Sequence, residues 1–244
     1  IKYIAENDMP TEYDYAFVMA LGLRLGSTIA ERLTQSSKLA KDLLEQISFE
    51  ARRSEFIDVK SGVSARMSIT AFENLLSTAE RRSLMAGDDK TTVRLGDFMG
   101  MIPAITGKVE LVYEGEQEGA ASVAHTLIGD AIQTLFVTYF PEIKKLEKQN
   151  EKSPYDEVVT WFFDQSDFQL LDDLTEEAYK KMLDSVTPLQ NLIDTHQPDL
   201  PKEDQYFMKE FILWALVEFK KLSKYRMTDG MRFKDLYGSY ISGL

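Results

Sequence analysis

Residues 120 to 140 constrain the fold more than any other stretch. Ala120, Ala124, Leu127, Ala131, Leu135 and Tyr139 recur at helical spacing, and Val123, Ile128, Ile132 and Phe136 widen the stripe. This is the period of a helix buried along a broad face, and Pro141 stops it because proline has no backbone N–H to donate. So wide an apolar face needs covering, and the chain must supply the partners. With 244 residues, 44% of them hydrophobic, it has enough apolar surface to do so.

Two partners precede this helix. From about Ser37 to Arg53, Leu39, Leu43, Leu44, Ile47 and Phe49 alternate with Asp42, Glu45 and Glu50, and a serine offers the cap. Next, Ile69, Phe72, Leu76 and Ala79 share a face; Thr70-x-x-Glu73 has the form of a capping box, and Gly87 with Asp88-Asp89 forms the stop. A weaker stripe over Tyr13, Phe17, Val18, Leu21 and Leu25 is loosened by Gly22 and Gly26. Asp97 is expected to cap a short helix holding Phe98, Met101 and Ile102. Val109 to Tyr113 suits a strand by its branched residues or a helix by continuation; helix is preferred because no second strand is evident. Gly115 to Gly119 is expected as an acidic turn.

Residues 141–153, rich in lysine, glutamate and asparagine, have the composition of a linker. Ser153-Pro154-Tyr155-Asp156 then starts a helix anchored by Val158, Val159, Trp161 and Phe162, and Thr175-Glu176-Glu177 caps another through Val186. Pro188, Pro198 and Pro201 are expected to punctuate a surface connection. A last long helix is expected from Lys202 to Tyr225, burying Phe207, Phe211, Ile212, Trp214, Ala215 and Phe219, with a poorly ordered tail from Met227 to Leu244. The expectation is an all-α fold, with one helical domain over residues 1–140 and a second helical subdomain over 154–244.

The formal net charge of -12 argues against a nucleic-acid partner. Arg52-Arg53, Arg81-Arg82 and Lys144-Lys145 are short pairs flanked by acids, expected on solvated helix faces. No cysteine is present, which fits a reducing compartment, and His125 and His196 stand alone, so no metal site is expected. No apolar run is expected to reach the roughly 20 residues of a membrane span, and no charged-then-apolar leader opens the chain; the expected location is the cytoplasm, with no membrane partner. Ile1 to Glu12 lacks an initiator methionine, so the chain is expected to be part of a larger protein.

Ser61-Gly62-Val63-Ser64-Ala65-Arg66 delivers one arginine to the mouth of the helix that carries Leu76 and Ala79. On residue type alone, Arg66 suits either a surface ion pair with an acid such as Glu73 or a phosphate. The stretch resembles the sensor-2 segment of AAA+ ATPases, in which Gly-x-Ser-x-Arg opens a helix of the lid domain. That helix runs on to a Gly, a Val and an Asp, as Gly87, Val93 and Asp97 stand here. Ser61 through Arg82, together with Gly107-Lys108-Val109-Glu110-Leu111-Val112-Tyr113-Glu114-Gly115, is similar more narrowly to the magnesium chelatase ATPase-subunit-like, MoxR-related branch, most clearly over roughly residues 40 to 140.

The resemblance implies an AAA+ lid-like helical bundle that closes over ATP and Mg2+ held by an upstream core. It implies that Arg66 touches the terminal phosphate, with Ser64 beside it in the nucleotide-binding motif. It also implies a homo-oligomeric ring and a partner carrying a von Willebrand A-like domain, with Arg52, Arg53, Arg81 and Arg82 as candidate inter-subunit contacts. The chain by itself lacks a phosphate-binding loop and is expected to be inactive alone: after Gly107-Lys108 stands Val109 where a Ser or Thr is needed, and Gly100 is two residues too far away. A reading from another class is a nucleotide-independent helical module for protein interaction, using Trp161, Phe162, Trp214 and ten methionines. A carboxylate hydrolase has no support, since the acids lie on helix faces and caps.

Overall fold

Ten consecutive residues of one helix, Phe207 to Leu216, are buried. A helix covered on every side must run through the middle of its fold, and the other elements pack around this one. The computed structural model describes residues 38–58, 60, 63, 65–143, 153–165, 168–227 and 229–236. In chain order its elements are α1 (Lys38–Arg53), α2 (Ala65–Ala86), a 3-10 helix (Leu95–Met101), α3 (Ile102–Thr106), α4 (Tyr113–Glu118), α5 (Ala120–Tyr139), α6 (Asp156–Asp164), β1 (Phe168–Leu171), α7 (Glu176–Ser185) and α8 (Thr187–His196). A short 3-10 turn (Lys202–Asp204) leads into the central α9 (Gln205–Glu218), followed by β2 (Leu222–Met227) and β3 (Gly230–Asp235).

α5 follows its sequence pattern closely, burying Val123, Ala124, Leu127, Ile128, Ala131, Ile132 and Phe136. Contrary to the expectation that no run reaches span length, α5 is long and apolar enough to cross a bilayer by length and composition alone. Its apolar face lies in the core. Phe136 lies 5.6 Å from Tyr155, 6.1 Å from Phe211 and 5.7 Å from Phe219, centroid to centroid, so one buried cluster draws on residues from both sides of residues 141–153. α1 closes the other side, tied to α5 by Tyr139 donating to Asp42 at 3.0 Å and to α2 by the hydroxyls of Ser48 and Ser68 at 2.8 Å.

The all-α expectation is overturned by a three-stranded antiparallel sheet in the order β1-β3-β2. Phe168 pairs with Phe233 across β1 and β3, and Met227 pairs with Gly230 where β2 turns into β3. A Cβ at Gly230 would run into the backbone carbonyl of Leu170, so the close approach of β1 requires glycine there. The expected helix through Tyr225 ends at Glu218 instead. Lys220 takes φ 58°, Lys221 N–H donates to Leu216 C=O at 2.7 Å, and Lys220 N–H donates to Val217 C=O at 2.9 Å. This is a left-handed helix stop built without glycine, which is why composition gave no sign of it. Part of the expected loose tail is thus the central strand of the sheet, and Tyr225 belongs to β2.

Other boundaries move for local reasons. α2 begins at Ala65, which places Thr70 inside the helix and not at its cap, and Ile69 is exposed while Met67, Ala71, Leu75 and Ala79 face the core. Gly87 does end α2: it takes φ 75°, and Asp88 N–H reaches back to Ser83 C=O at 3.0 Å. Residues 109–112 are not helical, and residues 110–112 pair with the segment after α1. Ile57 bridges Leu111, Asp58 N–H donates to Glu110 C=O and Val112 N–H to Phe56 C=O. The expected turn at Gly115–Gly119 is mostly the short helix α4, and Pro188 sits in the first turn of α8, where its missing N–H costs nothing. Thr175 caps α7 as expected, accepting from Ala178 N–H at 3.2 Å. The stripe at Tyr13–Leu25 lies outside the described residues.

Candidate functional site

The arginine singled out by sequence occupies the first turn of α2 and is exposed. Ser64, beside it, lies outside the described residues. Gly107 and Lys108 are at the end of α3, where Gly107 N–H donates to Pro103 C=O and Lys108 N–H to Ile105 C=O, each at 3.0 Å. Backbone amides already committed to a helix end cannot wrap a phosphate. Among the described residues, no group of three or more His, Asp or Glu side chains is placed to hold a metal ion.

A buried polar network lies at the other end of α2. Sixteen residues on from Arg66, about 24 Å at helical rise, stands Arg82, with 7% of its surface accessible. Its Nε donates to Asp97 Oδ1 at 3.0 Å and its Nη2 to Asp97 Oδ2 at 2.8 Å, while Nη1 reaches the Thr91 hydroxyl and Nη2 also the Thr92 carbonyl. Asp97 meanwhile accepts from Arg94 N–H at 2.8 Å, closing the first turn of the 3-10 helix. The expectation that Asp97 caps a short helix holding Phe98, Met101 and Ile102 is met in part: Asp97 closes the first turn from the third helical position, the N-cap itself is Arg94, and Ile102 already belongs to α3. The solvated-face reading of the Arg81-Arg82 pair holds for Arg81, which is exposed, and fails for Arg82.

Arg94 extends the arrangement to α7. Its Nη1 donates to Leu174 C=O at 2.9 Å, its Nη2 to Glu176 at 3.2 Å, and its guanidinium lies 4.1 Å above the Tyr179 ring. The Nε of Arg94 is buried and has no hydrogen-bond partner among the described residues. Tyr179 in turn donates to Glu210 of α9 at 2.7 Å, and Glu210 also accepts from Leu95 N–H at 2.8 Å and Gly96 N–H at 3.1 Å. Burial raises the Glu210 carboxyl above its ordinary pKa, outweighing the hydrogen bonds from Tyr179 and Leu95 that favour its charged form. Burial likewise holds the Tyr179 hydroxyl well above its usual value, with the neighbouring Glu210 charge adding to the effect. For Arg82 the bonds and charge of Asp97 outweigh burial, so it stays firmly cationic.

Above this network opens a cavity of about 610 Å³, bounded by the end of α2, the 3-10 helix, β1 and the β2–β3 turn. Arg82, Arg94 and Glu210 line it from below, Leu170 and Met231 form its apolar wall, and Arg81, Met85, Asp173 and Asp229 stand at its exposed rim. Two of the buried charges carried a legible signal. Arg82 falls seven residues after Leu75 and three after Ala79, on the apolar stripe itself, and Glu210, with Lys209 beside it, interrupts the otherwise apolar run from Phe207 to Val217. Arg94 and Tyr179 carried none, because what joins them is tertiary.

No family model, curated protein or solved structure matches this chain. Fold and site together define a mixed α/β protein with a buried arginine–carboxylate network beneath an open cavity.

Proposed function

We propose that this chain is the lid and C-terminal region of a magnesium chelatase-like AAA+ ATPase, acting on ATP held by a separate nucleotide-binding core and coupling hydrolysis to the remodelling of a partner. The observation that carries the reading is Arg66, exposed at the first turn of a 22-residue helix. Met67, Ala71, Leu75, Leu76 and Ala79 anchor that helix in the core. An arginine carried on so fixed a base loses little freedom on meeting an anion, which is the condition for electrostatic catalysis.

The residues of this chain suit one part of a nucleotide site. Arg66 supplies a cation for a terminal phosphate, and Ser64 precedes it by two positions; the phosphate cradle belongs to the core. Bound ATP with Mg2+ supplies the phosphoryl bond whose hydrolysis drives the work. As charge on the terminal phosphate shifts during bond breakage, a guanidinium held in place stabilises the change more than it stabilises the ground state. In the same reading the assembly is a homo-oligomeric ring in the cytoplasm, with a partner bearing a von Willebrand A-like domain.

The test is ATP turnover by the protein with its core. Arg66→Ala is expected to reduce turnover by roughly 100-fold, the scale of losing one fixed electrostatic contact to the transition state. Arg66→Lys should fall between the two. Turnover by the alanine variant within about twofold of wild type would remove Arg66 from catalysis and the reading with it.

A further inference from the structure

The cavity at the end of α2 is far from Arg66, and the ATPase reading leaves it without a role. Its volume of about 610 Å³ lies in the range of pockets that hold a ligand or a few side chains. The charges beneath it are spent on one another, Arg82 on Asp97 and Arg94 on Glu176. At the rim Arg226 is paired with Asp172 at 2.8 Å. Asp173 and Asp229 have no side-chain partner among the described residues. Asp229 is drawn to the same place as Asp172 because its carbonyl accepts from Asp172 N–H at 2.8 Å. Against these two carboxylates stands, among the described residues, one cation at the rim with no carboxylate partner, Arg81. An anion would therefore meet more repulsion than attraction, whereas a cation attached to an apolar body would meet the reverse.

We propose that this cavity docks a segment of a partner protein presenting an apolar side chain next to a lysine or arginine. The apolar side chain enters among Met85, Met99, Leu170 and Met231. Its cationic neighbour reaches Asp173 and Asp229. Methionine suits such a wall because its unbranched thioether re-packs readily around different side chains. Met85 already stands 65% exposed on the rim, an apolar surface that no described residue covers.

The test measures fluorescence anisotropy of labelled peptides against the whole chain, without nucleotide, so its failure would leave the Arg66 reading standing. Three probes of equal length are compared: alternating Leu and Lys, alternating Leu and Glu, and alternating Ser and Lys. The Leu–Lys peptide should bind most tightly. The rim double variant Asp173→Lys/Asp229→Lys should weaken it by roughly tenfold. Glu114→Lys/Glu116→Lys, which changes net charge equally on exposed α4, should weaken it by less than about twofold because the change is remote and screened. Met85→Ser should also weaken the Leu–Lys peptide while leaving the Ser–Lys peptide unchanged. Equal weakening by both double variants would mean non-specific attraction to an acidic protein and would overturn the proposal. So would a Leu–Glu or Ser–Lys peptide binding as tightly as Leu–Lys, or no binding by any of the three.

Discussion

The two ends of α2 carry the same residue type under opposite conditions. Arg66 at the first turn is exposed; Arg82 near the last is buried against Asp97, Thr91 and Thr92. An exposed guanidinium can exchange its contacts for an incoming anion at little cost and contributes little to folding. A guanidinium out of water is committed, because its desolvation must be offset by bonds that cannot then be lent elsewhere. One helix therefore joins an end open to chemistry to an end devoted to holding the 3-10 helix in place. The cavity sits above the committed end and, among the described residues, carries the unpaired charges Arg81, Asp173 and Asp229 at its rim.

The comparison breaks most easily at the buried end. Arg82→Ala leaves Asp97 charged and buried without its partner and is expected to cost about 3–5 kcal/mol of stability. Urea unfolding measures this, and a loss below about 1 kcal/mol would show that the pair is not what secures the end of α2. Replacing both partners, Arg82→Met with Asp97→Leu, should cost less than the single change, since no charge is then stranded.

Glu210→Gln comes next, at about 1–3 kcal/mol, because an amide presents an NH2 toward donors that need an acceptor. This substitution also sharpens the electrostatics through pH. The native carboxyl titrates above the ordinary value near 4.5. Between that value and the raised one, the native state keeps a proton that the unfolded chain has released, so wild-type stability falls as pH rises through the window. The Gln variant should lose this component of the slope; equal slopes in the two proteins would mean that Glu210 is not the group responsible. Smallest is the expected effect of Arg66→Ala on folding, within about 0.5 kcal/mol of wild type as for an ordinary surface change. A larger loss would make Arg66 a structural residue and erase the contrast between the two ends.

Much of the helical framework was legible. α1 and α5 follow from apolar spacing, α7 from its threonine cap, and the end of α2 from Gly87, because in each case the cause lies within a few residues of its effect. The sheet was missed for reasons equally physical. β1 is four residues long and β2 follows a long apolar helix with no proline or glycine between them, so helical periodicity ran on past Glu218. The Asp229-Gly230 dipeptide, a common hairpin sign between alternating residues, was the available clue. Residues 109–112 were ambiguous because a strand is defined by a partner, and theirs is some fifty residues away at Ile57.

What the sequence determined by itself was local: where several helices start and stop, which of their faces are largely apolar, and the presence of an arginine at the start of a long helix. Which arginine would be buried, which carboxylate would meet it, and where a cavity would open were settled only when α2, α7, α9 and the sheet came together. Helix periodicity is a matter of neighbours along the chain, whereas the cost of burying a charge depends on everything packed around it. That surrounding is assembled from segments as distant as Leu95 and Glu210, and it does not exist before the fold does.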